Sequence, residues 1–175
     1  MVRTAHGFTL LELMVVVALI GVILVLVMPS VGDGGRQERL LREVKRITAL
    51  VELVGEESVI KSTMIGLRFG ELGYGFVSYD GERWNEVEGD KLLKPHQFDE
   101  LMELALVVDG YRVDLAQKLT EEEIEEKGVT PHLLFLPSGE RTPFELTLRY
   151  RNEEAAYLLS VPPMGLAERR HLEAQ

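Results

Sequence analysis

Glu12 is the first residue whose chemistry demands a partner. It sits inside an apolar run, with Phe8 to Leu11 before it and sixteen uncharged residues, Leu13 to Met28, after it. On insertion scales a carboxylate in such a run costs about 2.5–3.5 kcal/mol at the centre of a bilayer and less towards an interface. A cation supplied by another molecule would remove that cost. A second charged array follows at Arg36, Arg39, Arg42 and Arg46, spaced three, three and four. That spacing makes one stripe along a helix, suited to phospholipid headgroups or acidic neighbouring surfaces, or to plain solvation.

Catalytic chemistry has little to draw on. His6, His96, His132 and His171 are scattered singly, with no H-E-x-x-H pair. Ser138 lies in Pro-Ser-Gly rather than in a nucleophile elbow. Cysteine is absent, which removes disulfides, thiol nucleophiles and cysteine metal sites. Glu121, Glu122, Glu123, Glu125 and Glu126 lack the Asp-x-Asp spacing and turn glycine of a calcium loop. Gly66, Gly70, Gly73 and Gly75 do not lead into a helix as a phosphate-binding loop would. No catalytic residue, metal or cofactor is expected.

The elements that carry these residues can be read from periodicity. Phe8 to Met28 covers 21 positions, roughly 30 Å as a helix and enough for a bilayer core. The run is too long for a usual signal-peptide core and ends at Pro29-Ser30 without a small-residue cleavage site. Gly32, Gly34 and Gly35 should interrupt or soften the helix, each costing about 1 kcal/mol in a helix interior. Beyond them Leu40, Val44, Ile47, Val51 and Val54 fall on one face, which should pack on a globular domain.

From Thr63 the pattern shifts to short β-prone runs. Asp80-Gly81 and Asp109-Gly110 favour two-residue hairpins, and further turns are expected near Ser138-Gly139 and Asn152-Glu153. Phe144, Leu146, Leu148 and Tyr150 alternate with Glu145, Thr147 and Arg149, giving one buried and one wet face. Asp99 to Leu106 reads equally as a helical turn or a strand. Thr120 and Glu123 form a capping box, with Gly128 as the stop, for a short helix over Glu121 to Lys127. The net charge of −10 disfavours a general nucleic-acid surface.

Gly7-Phe8-Thr9-Leu10-Leu11-Glu12 and the apolar run after it resemble the leader and N-terminal helix of type IV pilins and type II secretion pseudopilins. The resemblance implies that a prepilin peptidase cuts between Gly7 and Phe8 and methylates the Phe8 amine. It also implies that Glu12 neutralises the Phe8 ammonium of a neighbouring subunit during assembly. The stretch FLPSGERTPFELTL resembles H-type minor pseudopilins and FimT-like proteins, and the lack of cysteine leans towards a pseudopilin. The cations cluster after the span, with only Arg3 before it, the reverse of the positive-inside pattern. The leader motif, being more specific, outweighs that bias.

The expected fold is α+β and pilin-like: a long N-terminal helix, membrane-spanning in its first half, packed on an antiparallel β-rich globular domain. Its expected parts are a leader over 1–7, a membrane and assembly helix over 8–29 and a glycine hinge over 30–35. An amphipathic helix over 36–60, a periplasmic β-rich domain over 61–165 and a tail over 166–175 complete it. The implied role is a minor pseudopilin at or near the tip of a periplasmic pseudopilus. The chain would be held in the inner membrane by a single pass, with its C-terminal domain in the periplasm. Implied partners are the prepilin peptidase, other minor and major pseudopilins and the inner-membrane assembly platform, without nucleic acid. The alternative is a FimT-like minor pilin serving pilus assembly or DNA uptake through Arg169 and Arg170. Glu168 and Glu173 bring the charge of that tail close to zero. A subunit of a twitching pilus shares every N-terminal feature.

Overall fold

The computed structural model describes residues 10–27, 34–87, 89–116 and 128–173. They fall into two compact units divided between Gln37 and Glu38. In the first, helix α1 covers Leu10–Val27. Helix α2, Gly34–Lys61, begins in the first unit and runs through the second.

α1 has apolar residues in every direction, so it has no preferred buried face. Its 18 residues rise roughly 27 Å, a little less than a bilayer core of about 30 Å. Among the described residues no helix is long and apolar enough to cross a membrane. Phe8, Thr9 and Met28, which complete the expected span, lie outside the described residues.

α2 is amphipathic, and its expected stripe of Leu40, Val44, Ile47, Val51 and Val54 is fully buried. Full burial of each such side chain contributes about 1.5–3 kcal/mol relative to exposure. The helix takes in Gly34 and Gly35 as its first residues, two positions earlier than the expected start at Arg36. It ends where the Ser62 and Thr63 amides donate to the Val59 and Ser58 carbonyls. Ser62 adopts the left-handed conformation (φ 50°) that glycine usually supplies at this position.

Two antiparallel sheets share the core with α2. The first contains β1 (Ile65–Gly70), β2 (Gly73–Tyr79), β3 (Trp84–Glu86), β4 (His96–Gln97) and, later in the chain, β7 (Leu133–Phe135). Its order is β3-β2-β1-β7, with β4 also pairing to β2. The second contains β5 (Met102–Val108), β6 (Tyr111–Arg112), β8 (Phe144–Tyr150), β9 (Ala156–Val161) and β10 (Glu168–Leu172), in the order β10-β9-β8-β5-β6. Phe144, Leu146, Leu148 and Tyr150 point inward as their alternation predicts, and join α2, Leu67 and Phe69 of β1 and Phe135 of β7 in one cluster.

Turn chemistry meets expectation at Asp109-Gly110, a two-residue turn between Val108 and its partner Tyr111 with both φ angles positive. Asp80-Gly81 differs. Tyr79 pairs with Trp84, so the loop holds four residues. The Asp80 carboxylate accepts from the Glu82 and Arg83 amides and from the Asn85 amide, which favours the wider turn. Asp99 to Leu106 resolves into a capped turn at Asp99 followed by β5. Within the stretch expected to be a tail, Glu168–Leu172 pairs along β9 as β10. The short helix expected over Glu121 to Lys127 lies outside the described residues.

Gly66 shows what a glycine in a strand is for. A side-chain carbon there would collide with the Pro131 ring and Val77. Residues 130–132 therefore lie close against β1: Arg68 donates to the Thr130 carbonyl (2.8 Å), and the Phe69 amide donates to His132 Nδ1 (3.2 Å). These contacts, rather than phosphate, account for the glycine.

Candidate functional site

Gly7 and Phe8 lie outside the described residues, so the cleavage and methylation positions carry no structural account. Glu12 is exposed in the first turn of α1. The helix dipole favours a carboxylate there, so the backbone itself offsets part of the cost of placing a charge in an apolar segment. Around it Leu10, Leu11, Leu13, Met14 and Val15 are all exposed. The result is an aliphatic rod with one charge near its N-terminal end.

The cationic stripe is redistributed by the helix. Arg39, Arg42 and Arg46 are exposed on α2, joined by Lys45, whereas Arg36 is half-buried. The cause is rotation: Arg36 stands four residues before Leu40, a fully buried core residue, and so lies over the same face. Arg42 pairs with Glu38 at 3.6 Å, an exposed contact one turn apart. The Arg46 guanidinium interacts with the Tyr74 phenol, whose pKa burial pushes up to about 12 despite that cation.

Two arrangements fasten α2 to the sheets. His96 Nε2 lies 3.0 Å from Glu43 Oε2, and its ring packs against Tyr74 and Phe98. The second is a buried clamp. Arg141 is 8% exposed; its Nε donates to the Pro162 carbonyl (3.0 Å), its terminal nitrogen to the Gly165 carbonyl, and its guanidinium pairs with Glu52 at 3.4 Å. Glu52 also accepts from the Ala167 amide (3.0 Å). The turn that leads into β10 is thereby tied to α2. Sequence reasoning did not single out Glu52 or Arg141. Nothing local marks them, because the pairing joins positions far apart in the chain.

Other expected candidates are dispersed. His132 is an acceptor for a backbone amide, and burial lowers its pKa to about 4, with Arg68 adding to the effect. His171 stacks on Tyr157 with ring centroids 4.7 Å apart. The Ser138 hydroxyl accepts from the Glu140 amide in a turn. Arg169 and Arg170 are consecutive residues of β10, opposite Leu159 and Leu158. Consecutive strand residues face opposite sides of the sheet, so they do not form a continuous basic strip. A groove beside β5 and β8 is crossed by Glu103 with Arg149 (2.8 Å) and Arg151 (3.2 Å). These guanidiniums hold the Glu103 carboxyl below the usual carboxylate range. No cluster of three or more metal-ligating side chains occurs among the described residues.

Comparison with known proteins settles what this arrangement belongs to. Residues 2–28 match the prokaryotic N-terminal methylation motif. Type II secretion system protein H of Aeromonas hydrophila is 34% identical over 159 residues, covering 89% of this chain and 86% of that protein. The protein H of Pseudomonas aeruginosa is 35% identical over 158 residues, covering 89% and 90%. The chain belongs to the type II secretion system protein H family.

Its fold agrees with solved structures of related description. The minor pseudopilin EpsH of Vibrio cholerae superposes with a TM-score of 0.62 at 16% identity, covering 76% of this chain and 96% of that one. E. coli GspH superposes with a TM-score of 0.57 at 17% identity, covering 81% and 95%. As a protein H family member the chain is a minor pseudopilin of a type II secretion system, a structural class that associates with other pseudopilins. Its N-terminal motif is consistent with anchoring in the inner membrane and a domain in the periplasm.

Proposed function

We propose that the chain is cut after Gly7 by the prepilin peptidase, methylated at Phe8, and taken from the inner membrane into the pseudopilus at or near its tip. Its β domain then faces the periplasm and supports export of folded proteins, while the assembly platform drives entry. The chain performs no chemistry of its own; its chemistry is done to it.

The observation that carries this reading is α1, an aliphatic rod whose single carboxylate, Glu12, sits in the first helical turn. Four residues separate that carboxylate from the proposed cleavage bond. In an apolar setting an ammonium and a carboxylate attract far more strongly than in water, and either one left alone there costs about 3–5 kcal/mol. The pairing of Glu12 with the Phe8 amine of a neighbouring subunit therefore selects a mature, correctly staggered entrant.

Glu12→Val tests it. Processing at Gly7, read by mass spectrometry of the N-terminus, should persist. Recovery of the variant with other pseudopilins should fall more than roughly a hundredfold, as a loss of about 3 kcal/mol requires. Recovery at the level of the parent chain would overturn the pairing.

A further inference from the structure

We propose that the solvent face of the first half of α2, carrying Arg39, Arg42, Lys45 and Arg46, is a reversible dock for anionic phospholipid headgroups that holds the subunit at the membrane surface before it enters a filament. The inference rests on the pseudopilin reading and names the partner of a surface that reading leaves unassigned.

All four side chains are exposed, and all lie within eight residues of helix, about 11 Å of its length. They occupy the side away from Leu40, Val44 and Ile47, which are buried, so packing in the β domain leaves Arg39, Arg42 and Lys45 outward, with Arg46 exposed at the flank where its guanidinium meets the Tyr74 phenol. The acids between them do not cancel the array. Glu43 is turned to His96 at 3.0 Å, and Glu38 meets Arg42 in a contact whose Arg42 and Glu38 side chains are 64% and 77% exposed. Exposed pairs of that kind are weak and exchange readily.

Charge along α2 is graded, and the gradient favours a membrane over an acidic protein. The cations crowd the half of α2 that follows the apolar helix in the sequence, whereas Glu52, Glu56 and Glu57 occupy the other half. An anionic membrane surface attracts only within about a Debye length, roughly 8–10 Å, so only cations near it contribute. A protein partner imposes no such decay along the helix axis. The whole chain carries a net charge of −10 even with these cations counted, and so acidic a surface elsewhere repels anionic lipid. The dock thus also orients the domain, with the basic half of α2 towards the headgroups. The cluster lies on the side of the apolar segment where the positive-inside pattern would not place it, and headgroup binding gives it a task there.

The test uses the full chain in nanodiscs of phosphatidylcholine alone or mixed with phosphatidylglycerol. Lys45 is labelled with a water-soluble amine reagent, and its labelling rate is read by mass spectrometry. Labelling should slow about fivefold or more in the anionic discs, return towards the neutral-lipid rate at high salt, and stay fast in an Arg39→Gln, Arg42→Gln variant. Equal rates in both lipids overturn the proposal. Equal rates that slow only when an acidic pseudopilin domain is added assign the face to protein docking and likewise overturn it. Prepilin-peptidase cleavage after Gly7, measured in the same discs, reports on the pseudopilin reading separately.

Discussion

α1 and α2 draw on the same aliphatic residues and meet opposite surroundings. Leu10, Leu11 and Leu13 are 80%, 72% and 58% exposed, whereas Leu40, Val44 and Ile47 are 0%, 0% and 1% exposed. The difference lies in spacing rather than in composition. α2 interleaves polar residues with its apolar ones, so the chain can bury one face and wet the other. α1 offers no polar face, and folding within one subunit cannot cover it all round. It is built for surroundings that another phase or other subunits must supply.

The comparison can be broken first at the clamp that joins α2 to the second sheet. Arg141→Ala leaves Glu52 half-buried without its cation and releases three carbonyl and carboxylate contacts, so the domain should lose about 3–5 kcal/mol in chemical denaturation. Replacing both partners, Glu52→Leu with Arg141→Met, should recover much of that loss, because the penalty comes from the orphaned charge. Recovery no better than the single variant would mean that the hydrogen bonds to the 162–165 turn dominate.

A smaller effect tests the two helices directly. Leu40→Ala should destabilise the domain by about 2–5 kcal/mol through a core cavity. Leu13→Ala should move the same denaturation midpoint by no more than about 0.5 kcal/mol, since it lies outside that core. A large shift from Leu13→Ala would show that α1 contributes to the folding of the β domain.

Acid sharpens the contrast next. His132 has its pKa pushed down to about 4, against an ordinary value near 6.5. Between those values the unfolded chain binds a proton that the folded domain refuses, so stability should fall as pH drops from about 6.5 to about 4. With the ring only partly buried, a loss of about 1–2 kcal/mol is expected. His132→Asn, which keeps an acceptor for the Phe69 amide, should flatten that slope.

The smallest effect concerns the start of α2. A side-chain carbon at Gly35 meets nothing within 4 Å, so Gly35→Ala should stabilise the helix by about 0.4–1 kcal/mol. If the same change impairs recruitment into filaments while raising stability, flexibility at the glycines is being used. If recruitment is unchanged, the glycines are only the point where this helix starts.

Much of the fold was legible because its signals are local. The period of Leu40, Val44, Ile47, Val51 and Val54 marks a buried helix face, and the alternation from Phe144 to Tyr150 marks a half-buried strand, whatever they pack against. Asp109-Gly110 fixes its turn through two positive φ angles that few other residues tolerate. Asp80-Gly81 misled, because the choice between two and four loop residues was made by side-chain hydrogen bonds to Asp80 rather than by the dipeptide.

The sequence by itself determined that one apolar segment carries one carboxylate, that a cationic stretch follows it, and that an amphipathic helix and alternating strands come after. Those are properties of neighbouring residues, and short-range sterics and hydrophobic periodicity suffice to express them. Only the tertiary structure decided that Arg36 leaves the exposed stripe, that Glu52 meets Arg141, that His96 meets Glu43, and that residues 168–172 form an edge strand. Such pairings arise when the core brings distant segments together, and no spacing along the chain encodes the distance between residues that meet only after the chain has folded.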